Sequence, residues 1–411
     1  MSEGFRPDDA EQVREAVAWA ATEGETLELR GAGTKRGLGR PPEGRYVLDL
    51  SGLRGITLYE PEELVMSARA GTPLAEIESA LAENRQRLAF EPGGRSPTDD
   101  AGGEADAPTA GTIGGAFVCN LSGPRRITAG AARDHLLGVK CVTGRGEAIA
   151  TGGRVVKNVT GYDLCKLLAG SWGTLAALTE VTFKVVPAGE KTRTVLIYGL
   201  EDGAAAEAMA GAAGSPHEVS GLAHLPAVVA ARSALSRIAD PGMAVTALRL
   251  EGHGPSVEYR SRALRDAFAE AGRVEELNGR ESRRFWREVG DAPTLLGDER
   301  EIVWRLSVPP TAGPATVAEI AAAMPLAACY DWAGGLVWLG LEGDGAGDEV
   351  VRAAADRVGG HATLVRAPEP VRARVPVFHP QPPALAALTA RIKEGFDPRG
   401  ILNPGRMYAG M

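Results

Sequence analysis

Val13, Ala16, Val17 and Ala20 fall three and four positions apart, behind Asp8-Asp9 and ahead of Gly24. That spacing predicts a capped amphipathic helix. Thr26-Leu27-Glu28-Leu29 then reads as a short strand, and residues 46–50 and 55–59 alternate as two more, joined through a Ser51-Gly52 turn. Residues 64–70 form another apolar run, which leads into Gly71-Thr72-Pro73. Here Thr72 is the expected N-cap and Pro73 the first helical residue, with Leu74, Ile77 and Leu81 as the buried stripe. Residues 93–110 hold almost nothing to bury and read as a mobile surface loop. Leu137, Val139 and Cys141 alternate into a hairpin turned at Gly144-Arg145-Gly146, and a short helix is expected around 162–168. A strand follows over 178–186, with Val181, Phe183 and Val185 on one face.

After Pro187 the texture changes. Alanine-rich helices over 203–213 and 257–271 alternate with strands over 194–198, 244–250, 302–308 and 335–341. This predicts a second α+β unit with an antiparallel sheet, and a helix over 384–393 closes the chain.

A length of 411 residues is too much for one ordinary core and favours two domains. The 24% charged and 44% hydrophobic residues are the balance of a globular protein. With a net charge of −8 and no basic stripe interleaved with aromatics, nucleic acid is not an expected partner. No apolar run has the length of a membrane span, and Met1-Ser2-Glu3-Gly4-Phe5-Arg6-Pro7 lacks the pattern of a secretory signal. The expected location is the cytoplasm, or the inner membrane surface through partners. Cys119, Cys141, Cys165 and Cys329 form no paired motif. They read as reduced, buried thiols, and neither a zinc nor an iron–sulfur site is expected.

The chemistry lies in the glycine-rich turns. Arg30-Gly31-Ala32-Gly33-Thr34-Lys35-Arg36-Gly37 follows a strand and carries a hydroxyl and cations. Glycine permits the backbone angles that aim successive N–H groups at one point, which makes an anion site. Two further stretches follow, Gly111-Thr112-Ile113-Gly114-Gly115 and Gly170-Ser171-Trp172-Gly173-Thr174. Three such loops suggest one long nucleotide held along its length. The first lacks the third glycine of a Rossmann turn, and Leu38-Gly39-Arg40-Pro41-Pro42 cannot open a helix; no Walker A loop is present.

Taken in order, the segments resemble one family. They are Arg30 to Thr34, Ala70-Gly71-Thr72, Thr112 to Gly115, Val156-Lys157-Asn158-Val159-Thr160-Gly161-Tyr162-Asp163, Gly170 to Leu175, Leu178 to Val181, and Ile401-Leu402-Asn403-Pro404-Gly405-Arg406-Met407. With Leu121-Ser122-Gly123-Pro124-Arg125-Arg126, they resemble the FAD-binding domain of the vanillyl-alcohol oxidase / p-cresol methylhydroxylase type. Within that group the chain is most similar to the FAD-binding E subunits of bacterial glycolate oxidases. The likeness covers the first half and the carboxyl-terminal end.

That resemblance implies an α+β fold. A two-part FAD-binding domain would occupy 1–188, a cap domain with an antiparallel sheet 189–380, and a segment returning to the FAD domain 381–411. It also implies noncovalent FAD, since no histidine lies in the first turn. Arg30, Gly31, Ala32, Gly33, Thr34 and Lys35 would wrap the pyrophosphate, and Gly71, Thr112, Gly114, Gly115, Asn120 and Ser122 would continue along the cofactor. Gly161, Tyr162, Asp163 and Gly173 would lie near the ribityl chain or flavin. The Glu180-Val181 backbone would run against the flavin or adenine, and Asn403 would approach the ring. Lys157 and Asn158, polar between valines, read from the residues themselves either as a buried lysine that stabilises a reduced flavin or as a surface lysine at a strand end. The implied partners are a second FAD subunit and an iron–sulfur subunit.

No histidine pair has metal spacing, so no metal site is expected. His379, ahead of the returning segment, is the candidate base, weighed against a structural histidine before a proline-rich turn. Arg305, mid-strand, is the candidate carboxylate clamp, weighed against a solvated arginine. Trp286, Asp331 and Trp332 read as pocket lining or core, and the Arg366, Arg372 and Arg374 run as a solvated face. The resemblance implies oxidation of a 2-hydroxy acid such as glycolate, within a complex. A cofactor-bearing relay subunit and a stand-alone flavin oxidase remain as alternatives.

Overall fold

A computed structural model describes residues 4–93, 111–154, 161–297, 302–343 and 345–411. Most of the expected loop over 93–110, together with Lys157 and Asn158, lies outside the described residues.

The opening helix forms at Ala10–Glu23, where the Asp9 carboxylate accepts from the Gln12 N–H and Gly24 ends it in a left-handed conformation. Its buried stripe, Val13, Ala16, Val17 and Ala20, packs on Leu27, Leu48, Val142, Ala177, Ile401 and Leu402. One core thus joins the first strands to the end of the chain. The first strands make a parallel sheet in the order Gly4–Phe5, Tyr46–Asp49, Leu27–Arg30.

A second, antiparallel sheet runs Ile56–Glu60, Val65–Arg69, Ala176–Lys184, Leu136–Thr143, Ala148–Gly152. Tyr46–Asp49 and Ile56–Glu60 are therefore no hairpin; the short helical turn Leu50–Gly52 carries the chain from one sheet to the other. The helix Leu74–Glu83 covers the second sheet through Leu74, Ile77 and Leu81. Pro73, rather than Thr72, is its N-cap. Thr72 is committed elsewhere: its hydroxyl donates to the Arg69 carbonyl at 2.7 Å and accepts from the Gly55 N–H at 3.0 Å.

From Lys191 onward an eight-stranded antiparallel sheet forms. Its order is Val274–Asn278, Lys191–Tyr198, Val245–Gly252, Gly221–Leu225, Leu326–Asp331, Leu336–Leu341, Ile302–Ser307, His361–Arg366. One face packs Val195, Leu248, Trp304, Leu306 and Val337 against helices that include Asp202–Ala213 and Gly254–Ala267. The other face carries Leu196, Ala247 and Val303 with Phe285 and Trp286 of the helix Gly279–Gly290.

A buried ionic cluster fastens this large sheet to the amino-terminal half. Arg125 grips Glu251 with two hydrogen bonds of 2.7 Å, and Arg249 grips Glu91 at 2.8 and 3.0 Å. Arg87 also reaches Glu251, and the Arg249 guanidinium lies over the Trp286 ring. Burial pushes the Glu251 carboxyl up, but Arg249, Arg125 and Arg87 overcome it and hold the group well below the usual carboxylate range. The stabilisation from Glu251 is thus present above the unfolded-state value near 4.5 and fades as acid protonates the native carboxylate.

Removing one member of a buried ionic cluster strands the others. Glu251→Gln is expected to lose about 3–5 kcal/mol in urea unfolding at pH 7. An unchanged midpoint would show that the two halves are held by other contacts.

Candidate functional site

The first two glycine-rich turns meet face to face. A Cβ on Gly31 would lie 2.6 Å from the Thr112 hydroxyl oxygen, and one on Gly111 would lie 3.0 Å from that of Thr34. Only glycine allows this approach. Thr112 then caps the short helix Ile113–Val118, its hydroxyl accepting from the Gly115 N–H at 3.2 Å. A Cβ on Gly114 would strike the Ala70 carbonyl oxygen at 2.7 Å, which draws that helix onto the end of the strand Val65–Arg69.

The third turn joins them through the carboxyl-terminal return. Asn403 accepts from the Leu29 N–H at 2.8 Å and donates to the Trp172 carbonyl at 2.8 Å. Trp172 and Gly173 both take positive φ, 55° and 70°, as the turn folds around that amide. Arg406 lies beneath the first turn and donates to the carbonyls of Lys35 at 2.8 Å and Arg40 at 2.5 Å. Arg406 thus braces the end of the turn and the loop behind it, and the N–H groups of such a turn suit an anion.

That space is a cleft enclosing about 970 Å³, part of it open solvent. All of 30–35, with Thr112, Gly114, Gly115, Gly173 and Asn403, lines it, so the structure brings these expected residues together. Leu50, Leu74, Ala176 and Leu178 make an apolar wall. Lys35 projects inside, its ammonium 3.3 Å from the Gly93 carbonyl. Burial lowers its pKa, and among the described residues it has no ion-pair partner. Cys119 also lines the cleft; burial pushes its thiol up to about 12 despite Lys35 and Arg406, so it stays protonated near neutrality.

Other expected residues have different work. Gly71 packs on the Leu50–Gly52 turn, where a Cβ would lie 2.1 Å from the Leu50 carbonyl oxygen. Asn120 and Ser122 accept from the Arg133 and Ala132 N–H groups at 3.0 and 2.9 Å. Gly161 has φ 84°, beside Tyr162, which is 92% exposed. Asp163 caps the helix Leu164–Leu168. Glu180 pairs with Lys140, and Val181 is fully buried in the sheet core. None of these residues lines the cleft. His379 accepts from the Ala362 N–H at 3.2 Å through Nδ1, so its proton sits on Nε2, which donates to Asp356 at 2.9 Å. Both ring nitrogens are occupied. Arg372, expected as solvated, is buried and donates to the Gly39 carbonyl at 2.9 Å, bracing the loop after the first turn.

Arg406 and Trp172 belong to the site but have no role in the sequence-based assignment. Both sit inside motifs that signalled the family, yet nothing local indicates that one turns back beneath a nest 370 residues earlier or so.

The comparisons agree with this geometry. Residues 4–152 match the family model described as an FAD binding domain. The chain is 34% identical over 409 residues to the glycolate oxidase subunit GlcE of Escherichia coli, covering 98% of both chains. It is 33% identical over 178 residues to the glycolate oxidase subunit GlcD of Bacillus subtilis, covering 43% of this chain and 35% of that one. The solved 4-ethylphenol oxidase from Gulosibacter chungangensis superposes with a TM-score of 0.72 at 14% identity, covering 99% of this chain and 89% of that one.

The cleft fits a dinucleotide of this kind: a backbone cradle, an apolar wall, and a desolvated lysine that makes no ion pair among the described residues. Arg406→Gln is expected to weaken FAD binding about tenfold or more, read by quenching of flavin fluorescence, while the melting temperature of the apoprotein barely moves. An equal loss in both would mean that Arg406 only holds the fold.

Proposed function

Given that this chain belongs to the glycolate oxidase GlcE-subunit family and is an FAD-dependent oxidoreductase, we propose that it serves in two-electron oxidation of a 2-hydroxy acid such as glycolate. It would do so inside a complex with a second FAD subunit and an iron–sulfur subunit. FAD, when bound, supplies the two-electron acceptor. The observation that carries the proposal is the convergence of three separated glycine-rich turns and Lys35 on one cleft. Gly31 to Thr34 would offer backbone donors to the pyrophosphate, and Lys35 would neutralise it. Thr112, Gly114 and Gly115 would continue that grip, with Asn403 and Arg406 fixing the turns from behind. The protonated Cys119 thiol favours noncovalent attachment. Arg305 is the residue we assign to the substrate carboxylate.

A second reading is favoured by one observation. His379 is engaged by Asp356 and the Ala362 N–H, and among the described residues no cluster of His, Cys, Asp or Glu can hold a metal. In that reading the chain relays electrons and the substrate is oxidised by a paralogous partner.

Purified chain is expected to carry a yellow flavin band and to be bleached by glycolate slowly or not at all when alone. Fast bleaching requires the partner chains. A colourless protein that also fails to take up added FAD would overturn the proposal. If Arg305→Gln leaves turnover of the assembled complex intact, the relay reading stands.

A further inference from the structure

We propose that Arg126 and Arg305, stacked on Trp332, form a site in this chain for the carboxylate of a small 2-hydroxy or 2-oxo acid. This rests on the reading above and would give the chain a substrate site of its own.

The two arginines come from opposite sides of the seam. Arg126 opens the short helix Arg126–Ala129, just after the segment that packs beneath Glu91, and Arg305 lies mid-strand in the eight-stranded sheet. Their guanidinium carbons lie 4.5 and 5.0 Å from the centre of the same indole ring. Each lowers its pKa through burial first, and Arg305 falls to about 10 with Arg126 repelling it. Among the described residues neither makes an ion pair. The neighbouring Arg125 is the contrast, since it is saturated by Glu91 and Glu251. Asp134 and Asp331 attract Arg126 and Arg305 from a distance, yet burial outweighs them, and two half-buried like charges held so close favour an anion that completes them.

The indole they share is fixed at some cost. Trp332 and Ala333 both have left-handed backbone, φ 52° and 58°, a strained choice for residues with side chains. The Asp331 carboxylate holds the turn by accepting from the Trp332 N–H at 2.7 Å, and the indole N–H donates to the Gly123 carbonyl at 3.1 Å across the seam. A guanidinium lying on an aromatic face keeps its N–H edge free, and that planar fork matches a carboxylate. Trp338, 6.0 Å from Arg305, supplies an apolar flank suited to a small acid.

Oxalate, an acid that cannot be oxidised by loss of a hydride, is the probe. Calorimetric titration into the FAD-loaded full chain is expected to show one site, weakened about tenfold or more in Arg126→Gln and in Arg305→Gln. Arg305→Lys should recover part of the loss, and the flavin spectrum and melting temperature should stay close to wild type. Absence of oxalate binding to the wild type, wild-type affinity in both glutamine variants, or a site that prefers inorganic phosphate would each overturn the proposal. If Arg305→Gln does not fold, Arg126→Gln carries the same comparison from the other half. The titration also runs on apoprotein, so a failure of the cofactor reading shows as a missing flavin band, and a failure of this inference as missing heat.

Discussion

The end of the chain is the constraint on which the cofactor cleft depends. Leu27 donates its N–H to the Ile401 carbonyl at 2.8 Å, and Asn403 donates its own back to the Leu27 carbonyl at 2.9 Å. The last segment therefore adds itself beside the strand that delivers the first glycine-rich turn. From that anchor, Asn403 ties the first and third turns together, and Arg406 holds the carbonyls on the far side of the nest. A nest works only if its N–H groups stay unspent, so its carbonyls need donors from elsewhere. Lys393 secures the return in turn. Its buried ammonium binds Asp397 at 2.6 Å and the carbonyls of Thr174 and Leu402 at 2.7 and 3.0 Å. Burial lowers its pKa, and the Asp397 carboxylate opposes that shift.

The seam between the two sheet systems shows charge used in two ways. Glu91, Arg125, Arg249 and Glu251 satisfy one another in a buried cluster, which gives the large sheet a fixed position over the amino-terminal half. Arg126 and Arg305 beside it make no ion pair among the described residues, and burial lowers the pKa of both. Asp331 lies between these regimes. Burial pushes its carboxyl up to about 7, against the pull of the Trp332 N–H, Arg249 and Arg305. A fastened seam with a pair of desolvated cations is an arrangement suited to a small anion, since the binding groups lose little freedom when it arrives.

Elements written in local code were legible in the sequence. The helix Ala10–Glu23 announces its cap, stripe and stop within a single span, and the glycine-rich turns are marked by residue type alone. Where two local signals competed, reading along the chain failed. Thr72 looks like a helix cap, yet its hydroxyl serves the Gly55 loop and the helix begins one residue later. Tyr46–Asp49 and Ile56–Glu60 look like a hairpin, yet they part into separate sheets because the first pairs back with Leu27–Arg30 and the second forward with Val65–Arg69. His379 has the chemistry of a base, and folding supplies it with two partners that no local signal announces, Asp356 and the Ala362 N–H. Tyr162 and Asp163 belong to the family motif but are not among the residues lining the cleft.

The sequence by itself determined the α+β class, the glycine-rich anion-binding turns and the kind of cofactor they suit, because those depend on residue type and short spacing. Tertiary structure alone decided which turns face one another, that Arg406 braces a loop from the opposite end of the chain, and that Arg125 is paired with carboxylates while Arg126 makes no ion pair among the described residues. Adjacent arginines are identical as letters. Their difference is the presence or absence of a carboxylate brought in by a strand more than a hundred residues away, and only folding sets that distance.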